Sequence, residues 1–173
     1  MATAFRAGGV GVEARLEPEE RSLLLALVED LASLLEPAAI ADPLGLGLLD
    51  GAGRSADPVL ARLLPDAYPH DDAAAAEFRR LTEHGLRSRK SQALTAMADD
   101  LHAASDDIRL DPAQARAWLS GLNDLRLALG TRMGLGEEAL SPPAALTALY
   151  DWLTWMQDAL IAAIDDVADT LAP

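Results

Sequence analysis

The sequence predicts a mainly α-helical fold, a multi-helix bundle carrying a small N-terminal β-hairpin. Three observations lead there. Half of the 173 residues are apolar, and Ala and Leu supply most of them, which favours helix over sheet. From Leu146 onward every seventh residue is apolar (Leu146, Leu153, Leu160, Val167). Leu149, Met156 and Ala163 follow three places on, and Asp151, Asp158 and Asp165 recur behind them. An apolar seam so separated from an acidic back marks one long amphipathic helix. Residues 3–16, by contrast, alternate with a period of two: Val10, Val12, Ala14 and Leu16 face one way, Gly11, Glu13 and Arg15 the other.

The elements follow in order. Gly8-Gly9 offers a tight turn back to Ala4–Ala7, so 1–16 is a β element that must rest on the helices. Pro18 stands at a first helical position behind Glu17, and a helix over 18–36 stops before Pro37. Residues 37–56 hold Pro43 and four glycines and read as a loop. Asp57-Pro58 opens a short helix over 58–64, which Pro65 ends. Asp71 or Asp72 caps a long helix over 72–104, with Gly85 as its kink. After a short extended piece at 108–110, Asp111, Pro112 and Gln114 make a capping-box start for a helix over 112–133. Trp118, Leu122, Leu125 and Leu129 form its buried stripe. Gly134–Glu138 is a loop, and Ser141-Pro142 opens the last helix, 142–171. Tyr150 and Ile164 widen its seam on one edge, Trp152 and Ala159 on the other. A face that broad suits the central staff of a bundle, laid against the 112–133 helix, better than a two-stranded coiled coil. Residues 1–173 together suit one domain.

One internal echo crosses these elements. Glu13-Ala-Arg-Leu-Glu-Pro18 aligns with Asp107-Ile-Arg-Leu-Asp-Pro112, and the match continues through Glu20 with Gln114, Leu25 with Leu119, Val28 with Leu122, Asp30 with Asp124, Leu31 with Leu125 and Leu35 with Leu129. Shared helix-start chemistry explains this more economically than duplication. If both extended pieces are strands, they pair into a small sheet at one end of the bundle.

Composition narrows the function classes. Twenty-eight acids against 14 bases leave a net charge of −14. A like-charged surface forfeits the counterion-release energy of nucleic-acid binding, so direct binding to DNA or RNA is disfavoured. With no cysteine, thiol chemistry is excluded. Neither a signal peptide nor a membrane span is expected, and the reading is a cytoplasmic protein. His70, His84 and His102 are too dispersed for a metal motif. The glycines of Gly45–Gly53 lack the Lys-Ser/Thr ending of a phosphate loop. The acidic pairs (Asp71-Asp72, Asp99-Asp100, Asp106-Asp107, Glu137-Glu138, Asp165-Asp166) read as caps or solvated faces, because adjacent helical residues point apart. No catalytic, metal or cofactor residue is expected.

Two groups remain as candidates. Arg79, Arg80, Arg87, Arg89 and Lys90 fall within twelve positions that contain only Glu83 as an acid. They are a solvated surface balanced by nearby acids or a docking patch for an acidic segment. Trp152 and Trp155 lie off the main seam of the last helix and widen its buried face or mark an exposed contact. The second group, Asn123, Asp124 and Arg126, interrupts an apolar helix. Arg126 lies beside the buried stripe, where Asp151 and Gln157 could satisfy it, which makes these five a structural polar cluster.

Three segments carry a family resemblance: Asp57-Pro-Val-Leu-Ala-Arg-Leu-Leu-Pro-Asp-Ala-Tyr68, Trp118-Leu-Ser-Gly-Leu-Asn-Asp-Leu-Arg-Leu-Ala-Leu-Gly130 and Leu149-Tyr-Asp-Trp-Leu-Thr-Trp-Met-Gln157. Phe78-Arg-Arg-Leu-Thr-Glu83 and Leu86-Arg87 fit between them. Their order and spacing resemble an actinobacterial domain-of-unknown-function family that includes AosR-like oxidative-stress transcriptional regulators. The resemblance covers nearly the whole chain, most weakly in 1–15 and 37–56. It implies action with an alternative RNA polymerase sigma factor, and redox sensing attributed to a cysteine pair. This chain departs from the family at that pair, so a thiol switch cannot operate in it, whereas binding to a transcription component can.

The expectation is a non-enzymatic regulatory interaction module. Its contact surface would join the 79–90 stretch to the edge of the last helix near Trp152 and Trp155, an edge also suited to homodimerisation. The alternatives are an enzyme or small-ligand binder with a pocket near Arg126, and a direct DNA binder using residues 79–90.

Overall fold

The computed structural model describes residues 3–9, 11–36, 57–68, 70–103, 107–135 and 142–171. Residues 37–56, expected as a loop, together with Asp106, the pair Glu137-Glu138 and Ser141, lie outside the described residues. Among those described are five helices and one three-stranded antiparallel sheet of order β1-β2-β3, on which the fourth and fifth helices pack.

The hairpin forms from β1 (Thr3–Ala7) and β2 (Val12–Arg15), closed by a 2.7 Å hydrogen bond from Gly8 N–H to the Gly11 carbonyl. Gly11 tolerates no side chain, because a Cβ there would stand 2.2 Å from the Leu110 carbonyl oxygen. The extended piece at 108–110 is the third strand, β3 (Asp107–Leu110), and it pairs with β2, the arrangement the echo allowed. Ala14 faces Ile108, Glu13 faces Arg109 and Arg15 faces Asp107. Matching residues of the echo are therefore related by a local two-fold through Ala14 and Ile108. Arg15–Asp107 lies at 3.6 Å and Arg109–Glu13 at 3.8 Å on the exposed side. Phe5, Val12, Ala14, Leu16, Ile108 and Leu110 turn inward onto the helices.

Each unit of the echo then starts a helix in the same way. After β2, α1 (Pro18–Leu35) opens with Pro18 in its first turn and a capping box in which Glu20 accepts from Glu17 N–H at 2.9 Å. After β3, α4 (Pro112–Arg132) does so with Asp111 and Gln114, Asp111 accepting from the N–H groups of Ala113 and Gln114 at 2.7 and 2.8 Å. Between them, α2 (Pro58–Leu63) is capped by Asp57 and α3 (Asp72–His102) by Asp71, the latter running unbroken through Gly85. Gly134, at φ 66°, ends α4. Its N–H reaches the Thr131 carbonyl and that of Leu135 the Gly130 carbonyl, the Schellman pattern. The last helix is α5 (Ala144–Leu171).

Helices α1 and α3 tie one another's ends. Arg21 of α1 donates to the Leu101 and Ala103 carbonyls at the end of α3, at 2.9 and 3.1 Å. Arg87 of α3 donates to the Leu35 carbonyl at the end of α1, at 3.1 Å. Each cation meets unpaired carbonyls at the negative pole of the other helix.

The centre of the fold is α4 and not α5. Helix α4 packs against α1, α2, α3, α5 and β3, whereas α5 packs on α4, β1 and β2. The final helix owes its broad seam to covering both a helix and the hairpin, and not to a ring of helices around it. Trp118 is fully buried and meets Phe5 edge-on at 5.7 Å. Gly121 lets α3 come close, since a Cβ there would fall 2.0 Å from Met97 Sδ.

Candidate partner-binding surface

Four of the five bases of the 79–90 stretch are held by partners. Arg79 grips Asp66 on the segment before α3, at 2.6 Å. Arg87 pairs with Glu83 at 2.7 Å while capping α1. Lys90 turns inward to Asp124 on α4, at 2.6 Å. Arg80 and Arg89 are exposed, and Arg80 pairs with Glu77 at 2.8 Å. The Arg80 guanidinium beside Glu77 holds that carboxyl below its ordinary range. Glu77 and Glu83, on the same helix, thus answer Arg80 and Arg87.

The polar group on α4 divides in two. Asp124, only 1% exposed, belongs to the Lys90 pair. Arg126 turns the other way to α5, where it donates to Gln157 Oε1, reaches the Tyr150 hydroxyl at 3.4 Å and stacks over the Tyr150 ring at 5.2 Å. Asn123 and Asp151 are exposed. One acid carries more structure than its sequence context suggested. Asp100, read as part of a cap or solvated face, accepts from Trp118 Nε1 at 2.8 Å and Gln114 Nε2 at 2.9 Å, and so joins α3 to α4. Asp100 and Trp118 lie on different helices, so no spacing within one helix reveals the bond.

The two halves of the expected surface lie on α3 and α5, each of which packs on α4. Trp152 is half-buried against the core, while Trp155 stays 42% exposed. Around Trp155 the outer side of α5 presents Asp151, Asp158, Ile161 and Asp165, all exposed. The rest of the charged surface is mixed. The outer side of the sheet carries Arg6, Glu13, Arg15, Asp107 and Arg109 around an open depression of about 280 Å³. His102 lies 3.3 Å from Glu29, and no group of three or more metal-ligating side chains converges among the described residues. None of the described helices is long and apolar enough to cross a membrane.

Comparison with known proteins gives one consistent result. Residues 2–164 match the model of a domain of unknown function, DUF2017. The chain is 32% identical to "Putative oxidative stress regulator AosR" of Mycobacterium leprae, over 91% of this chain and 84% of that protein. It is 30% identical to the proteins named oxidative stress regulator AosR of Mycobacterium bovis and Mycobacterium tuberculosis, over 86% of this chain and 80% of theirs. No solved structure matches it. The family match spans nearly the whole chain, which belongs to the DUF2017 family.

Proposed function

We propose that this chain is a non-enzymatic regulator of the oxidative-stress response that works by binding another protein. One observation carries the reading: the relatives it matches over roughly nine-tenths of its length are named oxidative stress regulators. The finer form is action with an alternative sigma factor or another polymerase component, in the cytoplasm and as one folded domain. The physics favours a protein partner over nucleic acid, because a net charge of −14 repels phosphate. Without cysteine the chain cannot sense oxidants through its own thiols. Its input is then the amount of protein or the state of the partner.

Deleting the gene and comparing transcripts before and after sublethal peroxide tests this. The expected result is weakened induction of a set of oxidant-responsive genes, restored by the intact chain. An unchanged transcript profile would overturn it. Recovery of polymerase or sigma subunits with the tagged chain from native extract supports the finer form, and recovery of the chain alone removes it.

A further inference from the structure

We propose that the outer face of α5, centred on Trp155 and edged by Asp151, Asp158, Ile161 and Asp165, is the docking surface for a basic amphipathic protein segment. This rests on the protein-binding reading above and deepens it by naming surface and partner chemistry. Trp155 lies four residues after Asp151 and three before Asp158. Ile161 lies three after Asp158 and four before Asp165. On a helix those spacings put all five on one continuous face. Trp155 and Ile161 are each 42% exposed, although the opposite side of the same helix is packed shut by Leu153, Met156, Leu160 and Ala163.

The charge pattern chooses the occupant. Helix α5 contains no Lys, Arg or His, and none of Asp151, Asp158, Asp165, Asp166 or Asp169 forms a salt bridge with a described residue. The end of the helix adds a second, independent sign. A helix C-terminus is a negative pole that favours cations. The other four described helices have one there: Arg87 at α1, Arg62 in α2, Arg21 at α3 and Arg132 in α4. Among the described residues none stands at the end of α5, which carries Asp165, Asp166 and Asp169 instead. A partner's Arg or Lys supplies the missing cation, while its apolar side covers Trp155 and Ile161, the combination that helix-in-groove and coiled-coil contacts use. A second copy would set one aspartate row against another, and nucleic acid or an anionic membrane would set phosphate against it, each a like-charge contact.

The test uses two labelled peptides of the same Arg, Leu and Ala composition. One has its leucines on a single helical face and the other has them scattered. Binding to the full chain is followed by fluorescence anisotropy at about 150 mM salt, with amide shift mapping. The patterned peptide should bind the wild type at least about tenfold more tightly than the scattered one and shift α5 resonances. Trp155→Ala should abolish that difference, since the apolar contact is what separates the peptides. Asp158→Lys with Asp165→Lys should weaken both peptides by about tenfold or more, whereas Glu19→Lys on α1 should not. Equal binding of the two peptides, shifts centred on residues 79–90, or a Trp155→Ala chain that still discriminates would overturn the proposal. So would a wild-type dimer that dissociates on Trp155→Ala, which would assign the face to a second copy. This outcome is separable from the transcript test: loss of gene induction with no peptide discrimination leaves the regulator and removes the surface.

Discussion

The unit Val12–Leu35 and the unit Asp107–Arg132 begin alike and end in different surroundings. Each runs strand, acidic cap, proline, helix, and the strands pair about a local two-fold. Their core positions correspond: Leu24 with Trp118, Val28 with Leu122 and Leu31 with Leu125 are all buried. Beyond that stripe they diverge. Asp30 of α1 is exposed, while its counterpart Asp124 is sealed against Lys90. Leu27 is half-buried where its counterpart is Gly121, under Met97. Helix α1 is covered on one side, and α4 is covered by α2, α3, α5 and the sheet. Local chemistry starts a helix; how many neighbours it gains depends on elements remote in sequence.

Substitutions at paired positions sharpen this contrast. The largest effect is expected at the buried ion pair. Lys90→Met strands a buried Asp124 carboxylate and should cost about 3–5 kcal/mol in urea denaturation, and adding Asp124→Leu should recover most of it. Asp30→Ala, at the matching place in α1, should change stability by less than about 0.5 kcal/mol. Equal effects at Asp30 and Asp124 would erase the distinction between edge and centre.

At the close approach, Gly121→Ala forces Met97 out of a filled core and should cost about 1–3 kcal/mol despite alanine's better helix propensity. In a Met97→Ala background the same change should become neutral or favourable. A penalty that persists there would mean that something other than Met97 resists the new methyl.

The caps should differ by less. Asp111→Ala removes two short bonds to backbone N–H groups and should cost about 1 kcal/mol. Glu17→Ala should cost about half of that, because the longer glutamate is not among the favoured cap residues. Smallest of all is the sheet surface. Asp107→Arg alone should cost a few tenths of a kcal/mol (about 0.3), and adding Arg15→Glu should restore it, because the pair is exposed and only inverted.

Much of the fold was legible beforehand. Helix starts at Pro18, Pro58 and Pro112, and the caps Asp57, Asp71 and Asp111, follow from chemistry within four residues of each helix end. The echo foretold the β2–β3 pairing. Less of the candidate site was legible. The stretch Arg79–Lys90 looks more cationic in isolation than it is folded, because Arg79 and Lys90 find their carboxylates outside it, at Asp66 and Asp124, and Arg87 also reaches the Leu35 carbonyl. Likewise Arg126 meets Gln157 and Tyr150, while Asp151 stays exposed.

The division has a simple physical origin. Sequence by itself determined what short-range forces and composition decide: helical periodicity, prolines and caps at helix starts, alternation in the hairpin, a net negative charge, and the absence of thiol chemistry. Only the tertiary structure decided which helix is central, which charges are paired, and which apolar residues stay uncovered. Those outcomes depend on Coulomb and packing energies between groups that chain folding brings together, and their fall-off with distance in space bears no relation to distance along the chain.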